Sequence, residues 1–200
     1  MDSSAFAIET APNTDIWKKP PSHDVFTAPF RTHSKRPTSS FCSATLTFAA
    51  NYTLQYDQAG ILLIFTDRHN PGASRKWIKA GIELYDGVAR LSTVCCDAWA
   101  DWSVAPVPDE RDVAHGRRPV TLRIEKHIDA SGLSLWVYHV VDADGGRGKT
   151  KIPMREVCWP FGEAASEGWE LEVAAAVARP AKDTKDKFEA KFDHFDVEWK

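Results

Sequence analysis

Long apolar runs are missing from this 200-residue chain: no stretch of about 18 apolar residues occurs, the length a membrane-crossing helix needs. The opening residues, Met1 to Glu9, carry neither the basic start nor the apolar stretch of an export signal, so a cytoplasmic location without membrane contact is expected. Cationic excess is missing too. With 25 Lys and Arg against 28 Asp and Glu the formal charge is −3, and the signs are dispersed, which argues against a nucleic-acid partner. Cysteine is scarce. Cys42, Cys95, Cys96 and Cys158 fall in no metal-ligand spacing. Adjacent Cys95 and Cys96 point to opposite faces of a strand, so free thiols packed as small hydrophobes in a reducing compartment are expected. The seven histidines form no pair at ligand spacing, and there is no Gly-x-Ser-x-Gly elbow or phosphate loop, so neither a metal nor a cofactor is expected. No amphipathic pattern of ten residues or more marks a long helix, and no internal repeat occurs.

Strand-like runs are what the chain does have. They are expected over 41–49, 58–66, 76–84, 89–95, 119–126, 133–140, 169–178 and 187–199. Turn residues separate them: His69-Asn70-Pro71-Gly72, Asp86-Gly87, Ala130-Ser131-Gly132 and Asp142-Ala143-Asp144-Gly145-Gly146. Many strands with polar turns and no intervening helices imply an all-β, two-sheet antiparallel sandwich. Residues 1–40 are rich in Pro, Ser, Thr and charge, and are expected as an N-terminal extension packing on a sandwich of residues 41–200. At least one strand is expected there, at an edge, because Pro20, Pro21, Pro29 and Pro37 exclude a central one. Residues 97–118 form one long excursion, and its latter part, 104–118, reads as a mobile cover.

The clearest strand also carries the clearest candidate site. Alternation puts Trp77, Lys79, Gly81, Glu83 and Tyr85 on one face, and Ile78, Ala80, Ile82 and Leu84 on the other. The same rule separates Arg123 and Glu125 from Leu122 and Ile124, and Trp136 and Tyr138 from Leu135 and Val137. In a sandwich the aliphatic faces meet, which leaves a face of rings and ionic groups for a small polar ligand. Glu83 and Asp101 are the candidate acid–base groups. Gln58, Trp77, Lys79, Tyr85, Ser92, Trp102, Arg123, Trp136 and Tyr138 are the candidate ligand-binding residues. Glu83 is expected to hydrogen-bond Arg123, Lys79 or Gln58, and Trp99 to Ser103 to form the rim. The bland alternative is an ordinary solvent-facing ladder of cross-strand ion pairs. Glycoside hydrolysis is disfavoured. A retaining pair needs carboxyls about 5 Å apart, and Glu83 is flanked at two residues by Gly81 and Tyr85; Glu189, Lys191 and Asp193 read as a solvated outer face.

The segments Tyr56 to Gly60, Trp77 to Glu83, Arg90 to Val94, Asp101 to Ser103, Leu122 to Glu125 and Phe188 to Phe195 resemble, in order, the successive motifs of the DUF1349 family, over roughly residues 40 to 200. That resemblance implies a concanavalin A-like jelly roll of the lectin and glucanase type. Because the family includes fungal "regulation of enolase" proteins, it also implies a regulatory metabolic role with a metabolic-enzyme partner. The chain departs from the family's Gly-x-x-Ala-Ala-Ser-Pro-like strand at Val173 to Pro180. Two functions follow as expectations. The first is a monomeric or homodimeric cytosolic protein that binds a small polar or aromatic ligand, or a carbohydrate, on a concave Trp- and Glu-lined face. The second is a non-hydrolytic enzyme, an isomerase or cyclase of fungal secondary metabolism. In it Glu83 or Asp101 would move the proton, and Lys79 or Arg123 would hold developing negative charge.

Overall fold

Turn chemistry and alternation resolve into fourteen strands, a 3-10 turn at Thr38–Ser40 and one short α-helix among the described residues of a computed structural model, namely residues 5–143, 148–162, 165 and 167–200. The strands are β1 (Phe6–Thr10), β2 (Ile16–Lys19), β3 (His23–Phe26), β4 (Phe30–Pro37), β5 (Phe41–Ala50), β6 (Gln58–Asp67), β7 (Lys76–Tyr85), β8 (Val88–Cys96) and β9 (Ala100–Pro106). After helix α1 (Glu110–Ala114) come β10 (Val120–Asp129), β11 (Gly132–Asp142), β12 (Lys149–Val157), β13 (Trp169–Ala178) and β14 (Phe188–Trp199). One sheet runs β1-β14-β5-β10-β11-β12, the other β4-β13-β6-β7-β8-β9, and β2-β3 form a separate ribbon. Every pairing is antiparallel, as the hairpin turns dictate. Asp86 and Gly87, with φ of 50° and 73°, close the two-residue hairpin between β7 and β8. Of the expected turn after Asp142, Asp144, Gly145 and Gly146 lie outside the described residues.

The two sheets meet through the aliphatic faces that alternation marks. Leu46, Phe48, Ile61, Leu63, Phe65, Ile78, Ile82, Leu122, Ile124, Leu135, Val137, Leu171 and Phe192 share one buried cluster. A second cluster lies outside the sandwich. Leu62 and Ile64 of β6, Trp77 of β7, Val94 and Cys96 of β8 and Ala174 and Ala178 of β13 pack under Ile16 and Ala28. That explains a departure from alternation: Ile61-Leu62-Leu63-Ile64-Phe65 is continuously apolar because β6 is covered on both faces.

The first 40 residues therefore do more than pack on a finished sandwich. β1 extends the first sheet beside β14, and β4 extends the second beside β13. The prolines sit where a strand tolerates them: Pro20 and Pro21 in the ribbon turn, Pro29 before β4 and Pro37 at its end. Residues 104–118 also differ from the mobile cover expected of them. They continue β9, turn through Val107 into α1, and bury Val107 and Val113 in the sandwich core.

Candidate functional site

The polar side of β7 emerges on the outer face of the second sheet, between the ribbon segment and β9. At its centre Gly60 of β6 lies opposite Gly81 of β7. A Cβ on Gly81 would stand 2.0 Å from the Ala59 carbonyl oxygen, and one on Gly60 2.1 Å from that of Ala80. The two strands approach too closely there for any other residue. The glycine pair leaves a hollow flanked along β7 by Lys79 on one side and Glu83 on the other. Above it opens a cleft of about 250 Å³ lined by Asp15, Trp17, Tyr56, Gln58, Lys79, Glu83, Val94 and Trp102.

Glu83 is a buried carboxylate, 6% exposed. Its Oε2 accepts from Ser92 Oγ at 2.7 Å and from Trp102 Nε1 at 3.1 Å, and the same indole N–H lies 3.1 Å from Ser92 Oγ. Burial pushes its pKa above the usual glutamate value of 4.5, against the opposing pull of the Lys79 ammonium and the two donors. Lys79 Nζ donates to Gln58 Oε1 at 2.6 Å and lies 3.4 Å from Asp15 Oδ1. It sits 6.0 Å from the Trp17 ring centroid and 5.8 Å from that of Trp77, which is the cleft's buried underlayer. Tyr56, Tyr85 and Trp102 form a ring cluster at the rim, with centroids 5.1 to 6.4 Å apart.

Of the sequence candidates, Gln58, Trp77, Lys79, Glu83, Tyr85, Ser92 and Trp102 thus come together. Four others do not. Asp101 neighbours Trp102 on a strand and so faces the opposite way; its carboxylate is 2.5 Å from Arg155 Nη2 of β12, clasping the open edge where β9 and β12 face each other. Arg123, Trp136 and Tyr138 point outward from the other sheet. Arg123 is held there by Glu125 at 2.5 Å, Thr45 at 2.7 Å and Ser43 at 3.0 Å. Trp136 and Tyr138 stack at 5.9 Å, with Lys151 over the Tyr138 ring at 4.9 Å. That face is the self-satisfied cross-strand ladder, not part of the cleft. The expected Glu83 bond to Arg123, Lys79 or Gln58 is replaced by bonds to Ser92 and Trp102.

Asp15, Trp17 and Tyr56 were not among the candidate site residues read from the sequence, although Tyr56 opens a family motif. Asp15 is 64 residues from Lys79, and nothing in a Pro-rich segment announces that its carboxylate will fold back onto β7. A second feature that the sequence did not offer as a candidate lies beside Tyr56 and Gln58 in the chain. Arg179, at the point where the chain departs from the family's late strand, is buried against Asp57, donating from Nε at 2.8 Å and Nη2 at 2.6 Å. Asp57 Oδ2 also accepts the backbone N–H groups of Thr53 and Leu54. This clamp fixes the loop that delivers Tyr56 and Gln58. Among the described residues no three His, Cys, Asp or Glu side chains gather as a metal site.

Comparison with known proteins agrees with the sandwich. An alginate lyase of Pseudomonas aeruginosa superposes with a TM-score of 0.55 at 14% identity, covering 97% of this chain and 82% of that one, a likeness of fold alone. A Saccharomyces cerevisiae protein described as functionally unknown superposes with a TM-score of 0.70 at 23% identity, covering 100% of this chain and 90% of that one. In sequence, an uncharacterized protein of Emericella nidulans is 37% identical over 177 residues, 88% of this chain and 78% of that protein. "Regulation of enolase protein 1" of Saccharomyces cerevisiae is 34% identical over 105 residues, 52% of this chain and 48% of the yeast protein. The model of DUF1349, described as a protein of unknown function, matches residues 1–199, N-terminal segment included, and the chain belongs to that family.

Proposed function

We propose that this protein binds a small polar ligand in the cleft between the N-terminal segment and β9. One observation carries the reading: Gln58, Lys79, Glu83 and Asp15 converge on a single aromatic-walled cleft. At about 250 Å³ it is smaller than the roughly 300–1,000 Å³ that encloses a drug-sized ligand. A single-ring or similarly small molecule fits. Ring faces would cover its apolar side, and the four polar groups would fix its orientation. The likeness to a protein named for regulation of enolase supports a regulatory place in metabolism, with ligand occupancy as the regulated quantity.

A second reading, acid–base catalysis in the same cleft, is favoured by the buried Glu83 with its raised pKa and the ammonium of Lys79 nearby. Titrating wild type and Trp102→Phe with a panel of sugars, polyols and amines, read by tryptophan fluorescence and calorimetry, tests the binding reading. Saturable binding that Trp102→Phe weakens supports it, and product formed from a bound compound favours the second. Equal affinities in the two proteins would remove the cleft from consideration.

A further inference from the structure

The charges in the cleft are unequally satisfied. Its titratable acids and bases are two carboxyls, Asp15 and Glu83, against one amine, Lys79. Lys79 is already engaged by Gln58, Asp15 and the faces of Trp17 and Trp77. Each carboxylate, by contrast, has one crowded oxygen and one bare one. Asp15 Oδ1 takes the Ile16 N–H at 2.7 Å with Gln58 and Lys79 each at 3.4 Å, while Oδ2 has no partner among the described residues. Glu83 Oε2 takes both Ser92 and Trp102, while Oε1 has no partner among the described residues and is not itself buried, so it opens to the cleft. Arg90, opposite Glu83 in the β7–β8 ladder, does not line the cleft. The rings of Trp17, Tyr56 and Trp102 line the same cleft as the two carboxyls.

Building on the cleft as a ligand site, we propose that its ligand is a small organic cation, a primary or quaternary ammonium compound, whose charge sits between the aromatic walls and faces Glu83 and Asp15. An anion would face two carboxyls against one amine. A neutral polyol could hydrogen-bond the bare oxygens but would make no use of the ring faces that favour a cation. Rings present a negative face to a cation, and the protein already demonstrates the environment: its own Lys79 ammonium rests over two of the tryptophans.

Choline, ethanolamine, glucose and inorganic phosphate are the probes, each titrated by calorimetry into wild type, Glu83→Gln and Asp15→Asn. Expected is saturable binding of choline or ethanolamine at least tenfold tighter than glucose, with no phosphate binding. Glu83→Gln should weaken the amine at least tenfold, and Asp15→Asn, at a partly exposed position, several-fold. Circular dichroism and melting curves establish that each variant is folded; if Glu83→Gln does not fold, Asp15→Asn alone decides. Glucose or phosphate binding that depends on Glu83, with no amine binding, would overturn the cationic class and leave the cleft as a site. No binding of any probe would overturn both. Amine binding that neither substitution affects would place it elsewhere and also overturn the proposal.

Discussion

Asp57→Asn is the substitution whose cost the structure specifies best. Asp57 is fully buried, and Arg179 reaches it with two donors at 2.8 and 2.6 Å. The remaining guanidinium donors go to the carbonyls of Asp186 and Lys187 at 2.9 and 3.1 Å and to Thr53 Oγ1 at 2.8 Å. Asparagine keeps the shape but leaves a buried cation with no counter-charge and turns an amide toward donors. Breaking a buried pair in this way costs roughly 3–5 kcal/mol. For a domain of this size that corresponds to a Tm lower by about 6–20 °C. Urea and thermal melts of wild type, Asp57→Asn, Arg179→Met and the double variant measure it. The double variant should lose less than the sum of the singles, because it removes the orphaned charge along with the pair. Since Tyr56 and Gln58 flank Asp57, the single variant should also weaken ligand binding in the cleft. A loss under about 1 kcal/mol, the range of an exposed pair, or strict additivity in the cycle, would refute the clamp.

Glu83→Gln should change the pH dependence of stability. Burial raises the folded pKa of Glu83, so the wild type is favoured while the carboxyl is protonated and loses that advantage as pH climbs from about 4.5 through the raised value. Melting temperatures of the two proteins should therefore shift in favour of the glutamine variant across that rise; a constant difference refutes it. Gly81→Ala places a Cβ against the Ala59 carbonyl and should cost about 3 kcal/mol or more, measured by denaturation. Trp102→Phe removes one of the two donors to Glu83 Oε2, and should cost about 1–3 kcal/mol in melts at neutral pH. Asp101→Ala removes an exposed carboxylate and should cost under about 1 kcal/mol while leaving ligand affinity in the cleft unchanged.

Strands with a buried face were legible because burial imposes alternation, or a continuous apolar run where both faces are covered as in β6, and β5 to β8, β10, β11, β13 and β14 all carry such a signal. Edge strands were legible only as an expected edge strand somewhere in residues 1–40, without bounds. Phe30-Arg31-Thr32-His33-Ser34-Lys35-Arg36-Pro37 and Lys149-Thr150-Lys151-Ile152-Pro153 are polar and proline-bearing because an edge needs protection from further pairing, which erases the apolar signal. The site was half legible for a related reason. A period of two tells inside from outside, but a sandwich has two outsides. Arg123, Trp136 and Tyr138 satisfy the same pattern as Lys79 and Glu83 and belong to the other sheet. Asp101 and Trp102 could be separated only once residues 100–106 were known to be a strand. Asp15 and Trp17 depend on a long-range return of the chain that no local pattern encodes.

Cys95 and Cys96, one residue apart on β8, lie in different layers: Cys95 in the core between the sheets, Cys96 beneath the ribbon segment. Burial pushes each thiol up to about 11, so neither reacts while covered. They amount to two built-in clocks on adjacent positions. Thiol labelling at Cys96 reads how often the N-terminal segment lifts off the second sheet, and labelling at Cys95 reads how often the two sheets part. If the segment that supplies Asp15 and Trp17 opens on its own to admit a ligand, Cys96 will label well ahead of Cys95, and a bound ligand will slow the first without touching the second.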